Sequence, residues 1–236
     1  MSGNAFKDLD INKVDYQTYL DIVADLRKFL PAFMAAGSTQ FFEKSCTWKI
    51  DQKLGDLDFV VQMNKDDIKS LVTNNDFFKT YRVFGNTVST VVENKGRLFH
   101  VDLMPSVNVG NESWIMSGGS KDIKGVVRNV LLCFLARVKS DIASINAGEE
   151  VKWTIAFPGG MGQRNDGICL NRETSPEYIL SNLGIESTVE QIESSRTFEG
   201  LSSMVEWDND LQSIASNFDA ATLEDLAGII FNSTNG

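Results

Sequence analysis

The chain has 236 residues, 42% hydrophobic and 23% charged, with a formal net charge of −10. These values suit a soluble globular protein of one or two domains whose core needs no disulfides, and the acidity disfavours broad, nonspecific binding to duplex nucleic acid while leaving room for a local basic patch. The polar N-terminus, the lack of an apolar run near the ~20 residues of a membrane span, and three scattered cysteines (Cys46, Cys133 and Cys169) without a C-x-x-C pair point away from secretion, membranes and zinc, and toward a reducing, cytoplasmic setting.

Residues 14–36 (VDYQTYLDIVADLRKFLPAFMAA) show helical spacing: Tyr16, Leu20, Val23, Leu26 and Leu30 recur on one side, with Pro31 ending or kinking the helix. Gly37-Ser38 follows. FFEKSCTWKI alternates imperfectly and suits a strand or hairpin arm, LDFVVQM reads as a strand, and Lys65 to Asn74 as a short helix. TVSTVVEN and RLFHVDLMP flank Lys95-Gly96, a hairpin turn signal. Residues 120–144 predict a long helix capped by Ser120 or Asp122.

Past Gly148 the character changes. KWTIAFPGG and DGICLNR predict two strands around a Gly-rich turn, and the remainder is helical and acidic, with Ser175-Pro176-Glu177 as a helix start. The expected fold is therefore α/β or α+β: a mixed sheet flanked by helices over residues 1–148, then a smaller region, 149–236, with a short β-hairpin and mainly helices.

The chemistry concentrates in acids. Residues two apart on a strand share a face, so Asp56 and Asp58 project together while Leu57, Phe59 and Val61 point into a core. Side-by-side carboxylates repel, and one takes up a proton unless a cation holds both. Such a pair is often just a solvated strand end; a divalent metal such as Mg²⁺ or Mn²⁺ is the functional alternative. Asp102, the only acid from Arg97 to Val109, joins the pair if its strand neighbours theirs. Three carboxylates can hold two metals roughly 3.5–4 Å apart, a geometry suited to phosphoryl transfer.

Gly37-Ser38 offers close backbone approach, an amide and a hydroxyl to a phosphate. Ser120, Lys121, Lys124 and Arg128 cluster at a helix start, either as an anion site for a triphosphate or as a solvated face. His100 shares a face with Asp102, as a structural histidine or a neighbour of the site. PGGMGQRNDG (158–167) reads as a plain hairpin loop or a substrate loop; it matches neither a P-loop nor G-x-G-x-x-G.

Gly37-Ser38, then Gly55-Asp56-Leu57-Asp58-Phe59 on a strand, then Val101-Asp102-Leu103 on a later strand, resembles the polymerase-beta-type nucleotidyltransferase superfamily over roughly residues 35–130. Ser117 to Arg128 is also similar to a basic segment of uncharacterised members, some carried by bacteriophages. Ser38 to Asp56 is a step of 18 residues, longer than is usual in the superfamily. The resemblance implies a catalytic domain over 1–148, with Asp56, Asp58 and Asp102 binding two Mg²⁺ ions and Ser38 contacting the triphosphate of a bound nucleoside triphosphate. A nucleoside monophosphate would pass to an acceptor hydroxyl on an RNA or tRNA 3′ end, a protein or a small molecule, with pyrophosphate released, and region 149–236 would bear on the acceptor. A degenerate scaffold that only binds nucleotide or a partner is the alternative. A two-metal hydrolase is disfavoured by the single histidine.

Overall fold

The computed structural model describes residues 5–43, 53–116, 132, 135–136, 139–140, 143–148, 150–156, 160–165, 168–185 and 187–194. They belong to two units, Met1–Gly118 and Gly119–Gly236. The division falls ahead of the change in composition near residue 148.

In the first unit, helix α1 spans Tyr16–Leu26. Asp15 caps it, its carboxylate accepting the Thr18 N–H at 2.8 Å. The helix does not run to residue 36 as its spacing predicts. Its last turn closes before Pro31, and Phe33–Ala36 forms strand β1. Proline bars its predecessor from the helical region, and the Ala-rich segment beyond it gains its hydrogen bonds from a neighbouring strand instead. That neighbour is β2, Leu57–Val61, paired antiparallel with Ala36 opposite Asp58.

Between them Gln40–Glu43 forms a short helix, α2. Phe41, Phe42 and Glu43 are thus helical, where alternation suggested a strand; residues 44–52 lie outside the described residues. Helix α3 covers Lys65–Asn74, as expected, with Asn64 as its cap. Strands β3 (Phe78–Phe84), β4 (Thr87–Asn94) and β5 (Arg97–Pro105) complete a mixed sheet of order β1-β2-β5-β4-β3. The β4–β5 hairpin turns at Lys95 (φ 51°) and Gly96 (φ 74°), the two positive values that a tight hairpin turn demands. Strands β2 and β5 run parallel, and the other strand pairs of this sheet are antiparallel. A further helix, α4, spans Val109–Ile115. The fold is α+β, as the order of elements predicts.

Alternation divides the sheet into two faces. Leu57, Phe59 and Val61 of β2, Phe99, Val101 and Leu103 of β5, and Val88 and Val92 of β4 are buried in one cluster with Ile22, Val23 and Leu26 of α1 and Ile68 and Val72 of α3. Burying a side chain of this kind contributes ~1.5–3 kcal/mol, so this face carries most of the unit's stability. The opposite face holds two smaller clusters. One joins Ala5, Phe6 and Val91; the other joins Ala36, Val60 and Met104, with Val109 and Met116 packed on it.

In the second unit, Leu132, Leu135, Ala136, Lys139, Ser140 and residues 143–147 are helical, so the helix expected over 120–144 runs on to residue 147. Strands β6 (Lys152–Ala156), β7 (Gly160–Asn165) and β8 (Ile168–Glu173) form an antiparallel sheet in chain order. The Gly-rich stretch expected to be a hairpin loop is therefore largely the middle strand of three. Gly160 (φ +84°) packs against the backbone of Glu173, where a Cβ would not fit. Helices follow at Pro176–Asn182, capped by Ser175, and at Val189–Ser194. Among the described residues no helix is long and apolar enough to cross a membrane.

Candidate metal centre

Because β2 and β5 are parallel neighbours, the register sets Asp58 directly beside Asp102. Asp56 stands just before β2, two residues from Asp58 and on the same side. One carboxylate oxygen from each of Asp56, Asp58 and Asp102 lies within 4.8 Å of the others. The three acids expected to converge do converge, on the face away from α1 and α3. Along β5 that face reads Leu98, His100, Asp102, Met104, so the polar pair separates the two small apolar clusters.

The electrostatics are those of an acid cluster that His100 compensates only in part. Burial, then the charges of Asp56 and Asp102, push the Asp58 carboxyl up to about 8, against an opposing pull from His100. Burial alone would lower His100. Its hydrogen bond to Asp102 and the charges of Asp102, Asp56 and Asp58 outweigh that and raise it. His100 Nε2 lies 2.9 Å from Asp102 Oδ1, and Nδ1 lies 3.9 Å from Asp56 Oδ2. The histidine is thus threaded between two of the acids rather than merely near them.

The Gly37-Ser38 turn reaches this cluster despite the long step to Asp56. Strand β1 delivers it, since Ala36 pairs with Asp58. Gly37 adopts φ +50°, which favours glycine, and a Cβ there would lie 2.8 Å from Asp58 Oδ2 and press on that carboxylate. Its N–H donates to the Met116 carbonyl at 2.6 Å. Ser38 is exposed. Ser120, Lys121, Lys124 and Arg128 lie outside the described residues.

Several contributors were not legible in the sequence. Thr39, fully buried, accepts the Asp58 N–H on its hydroxyl at 2.6 Å. Gln40 donates its amide to the carbonyls of Ala35 (3.2 Å) and Ser113 (2.8 Å), tying the turn to α4. Buried Glu112 accepts the Val107 N–H at 3.2 Å and closes the loop after β5; burial raises its carboxyl. Ser89 stands opposite Asp102 on β4, fully buried, and its hydroxyl has no partner among the described residues. None of these roles has a local signal. Those of Thr39, Gln40 and Ser89 depend on a register or a contact made far along the chain.

The three close carboxylates can hold a metal ion, and the surroundings fit one. The donor set is all hard oxygen, as Mg²⁺, Mn²⁺ or Ca²⁺ prefers. Asp58 keeps a proton at neutral pH because burial and the charges of Asp56 and Asp102 outweigh the pull of His100. A buried hydroxyl, Ser89, is left unspent on the same face, and such orphans ask for an explanation. No family model matches the chain, and no curated protein matches it closely enough to lend it an identity.

Proposed function

We propose that the protein is a metal-dependent nucleotidyltransferase of the polymerase-beta type. It moves a nucleoside monophosphate from a nucleoside triphosphate to an acceptor hydroxyl and releases pyrophosphate. The observation that carries this reading is the register of Asp58 beside Asp102, with Asp56 in reach and the Gly37 turn against Asp58. Any nearby acids could bind a cation. The three acids, brought together by β2, the residue leading into it and β5, with a glycine turn against one of them, follow the arrangement that the resemblance implies.

In this reading Asp56, Asp58 and Asp102 hold Mg²⁺ or Mn²⁺, which when bound neutralises the charge that builds on phosphate oxygens and lowers the pKa of an acceptor hydroxyl. The chain's own residues do the positioning. Thr39 fixes the backbone of Asp58. Gln40 and Met116 fix the turn that carries Ser38, whose exposed hydroxyl meets the triphosphate. The acceptor is an RNA or tRNA 3′ end, a protein or a small molecule. Three scattered cysteines without a C-x-x-C pair support action in the cytoplasm.

The test is incubation with each labelled nucleoside triphosphate, Mg²⁺ and total RNA, alongside Asp56→Ala and Asp102→Ala. Label transfer or pyrophosphate release that disappears in both variants is the expected result. Nucleotide binding without turnover points to a binding module instead, and no metal-dependent nucleotide binding at all rejects the reading.

A further inference from the structure

We propose that His100 is a positioning residue of the acid site: its Nε2–H holds the carboxylate of Asp102 in the orientation that binds metal. The inference rests on the metal reading above.

The contact is built into the strand. His100 and Asp102 are two apart on β5 and share a face, so the pleat sets the ring beside the carboxylate. A carboxylate accepts and does not donate, so in the 2.9 Å contact to Oδ1 the proton sits on Nε2. The second nitrogen, Nδ1, faces Asp56 Oδ2 at 3.9 Å. One ring therefore spans two of the three acids.

The ring itself has nowhere to go. His100 is 3% exposed and stands opposite Val91 of β4. Phe6 meets it edge to face, with centroids 5.3 Å apart. Phe6 is held in turn by the Arg82 guanidinium, 5.3 Å over its ring, and Arg82 pairs with Asp8 at 2.9 Å. A side chain fixed on both sides transmits its position to what it touches. Asp102 is thereby held at one oxygen before any ion arrives. A carboxylate left to rotate would lose freedom on binding, and partners that orient metal ligands commonly change metal affinity ~10–100-fold.

Two polar substitutions separate positioning from mere packing. In His100→Gln the amide nitrogen falls near the place of Nε2 and still reaches Asp102. In His100→Asn it falls near the place of Nδ1 and does not. Both remove the ring and its contact with Phe6, so a purely structural role is damaged alike by both. The measurement is calorimetric titration of Mn²⁺ into the full chain, with the fold of each variant checked by circular dichroism. Mn²⁺ affinity within about threefold of wild type in His100→Gln, but about tenfold or more weaker in His100→Asn, is the expected result. Equal affinities in the two variants overturn the positioning role while leaving the metal reading intact. Wild-type protein that binds no Mn²⁺, or binds it equally well as Asp102→Asn, overturns the metal reading and this inference with it.

Discussion

The two faces of the five-stranded sheet are made from the same strands and do different work. On one face Leu57, Phe59, Val61, Val101 and Leu103 are sealed under α1 and α3 in a continuous apolar cluster. On the other, Asp58, His100, Asp102 and Ser89 break the apolar surface into two small patches. Adjacent residues of β2 thus belong to opposite programmes, one stabilising and one costly. The difference teaches that the acid face persists because the helix face holds it in place. Carboxylates at this density repel each other, and among the described residues His100 offsets this only in part, while the apolar clusters on that side are small.

Breaking the helix face has the largest expected effect. Phe59 is fully buried between Asp58 and Val60 in sequence and packs against Tyr19 and Phe33. Phe59→Ala should cost about 3–5 kcal/mol of stability, measured by denaturant unfolding. Folded molecules of this variant should still bind Mn²⁺, because the acids themselves are untouched.

The acid face should respond in the opposite sense. Asp58 has a folded-state carboxyl pushed up to about 8, from an ordinary value of 3.8. Between these values the native protein keeps a proton that the unfolded chain gives up, so metal-free stability falls as pH rises from about 4 to 8. His100, raised above its ordinary 6.5, adds a contribution of the same sign that is present below that value and lost as pH rises through its folded one. Asp58→Asn should flatten the Asp58 part of this slope and raise the melting temperature of the metal-free protein at pH 8. The same substitution should weaken Mn²⁺ binding by roughly tenfold or more. In wild type, Mn²⁺ affinity should climb with pH up to about 8, since the ion displaces the Asp58 proton. A melting temperature that does not depend on pH between 5 and 8 would remove the electrostatic half of the contrast.

The contrast also explains what the sequence could and could not reveal. Strand β2, helix α3 and the β4–β5 hairpin were legible because each carries a local signal: alternation, a cap, or a turn at Lys95-Gly96. The division of β2 into acid and core residues follows from alternation alone. Strand β1 was hidden because FMAA has helical composition, and only pairing with β2 makes it a strand. Strand β7 was hidden for a like reason: its opening Gly-Met-Gly has no strand preference, and β6 and β8 on either side supply its hydrogen bonds. In the site, the acids were legible by type and spacing. Thr39, Gln40 and Ser89 were not: Thr39 acts on Asp58 at a separation of 19, Gln40 reaches Ser113 at a separation of 73, and Ser89 is brought beside Asp102 only by strand pairing.

The central claim is that Asp56, Asp58 and Asp102 form one cation site on the face away from the helices. Anomalous diffraction from crystals of the full chain soaked in Mn²⁺ tests it most directly. The expected result is a peak among the three carboxylates, roughly 2.1 Å from an oxygen of each, that is lost in Asp102→Asn. A saturating soak that leaves no peak there, or puts the ion elsewhere on the chain, would contradict it.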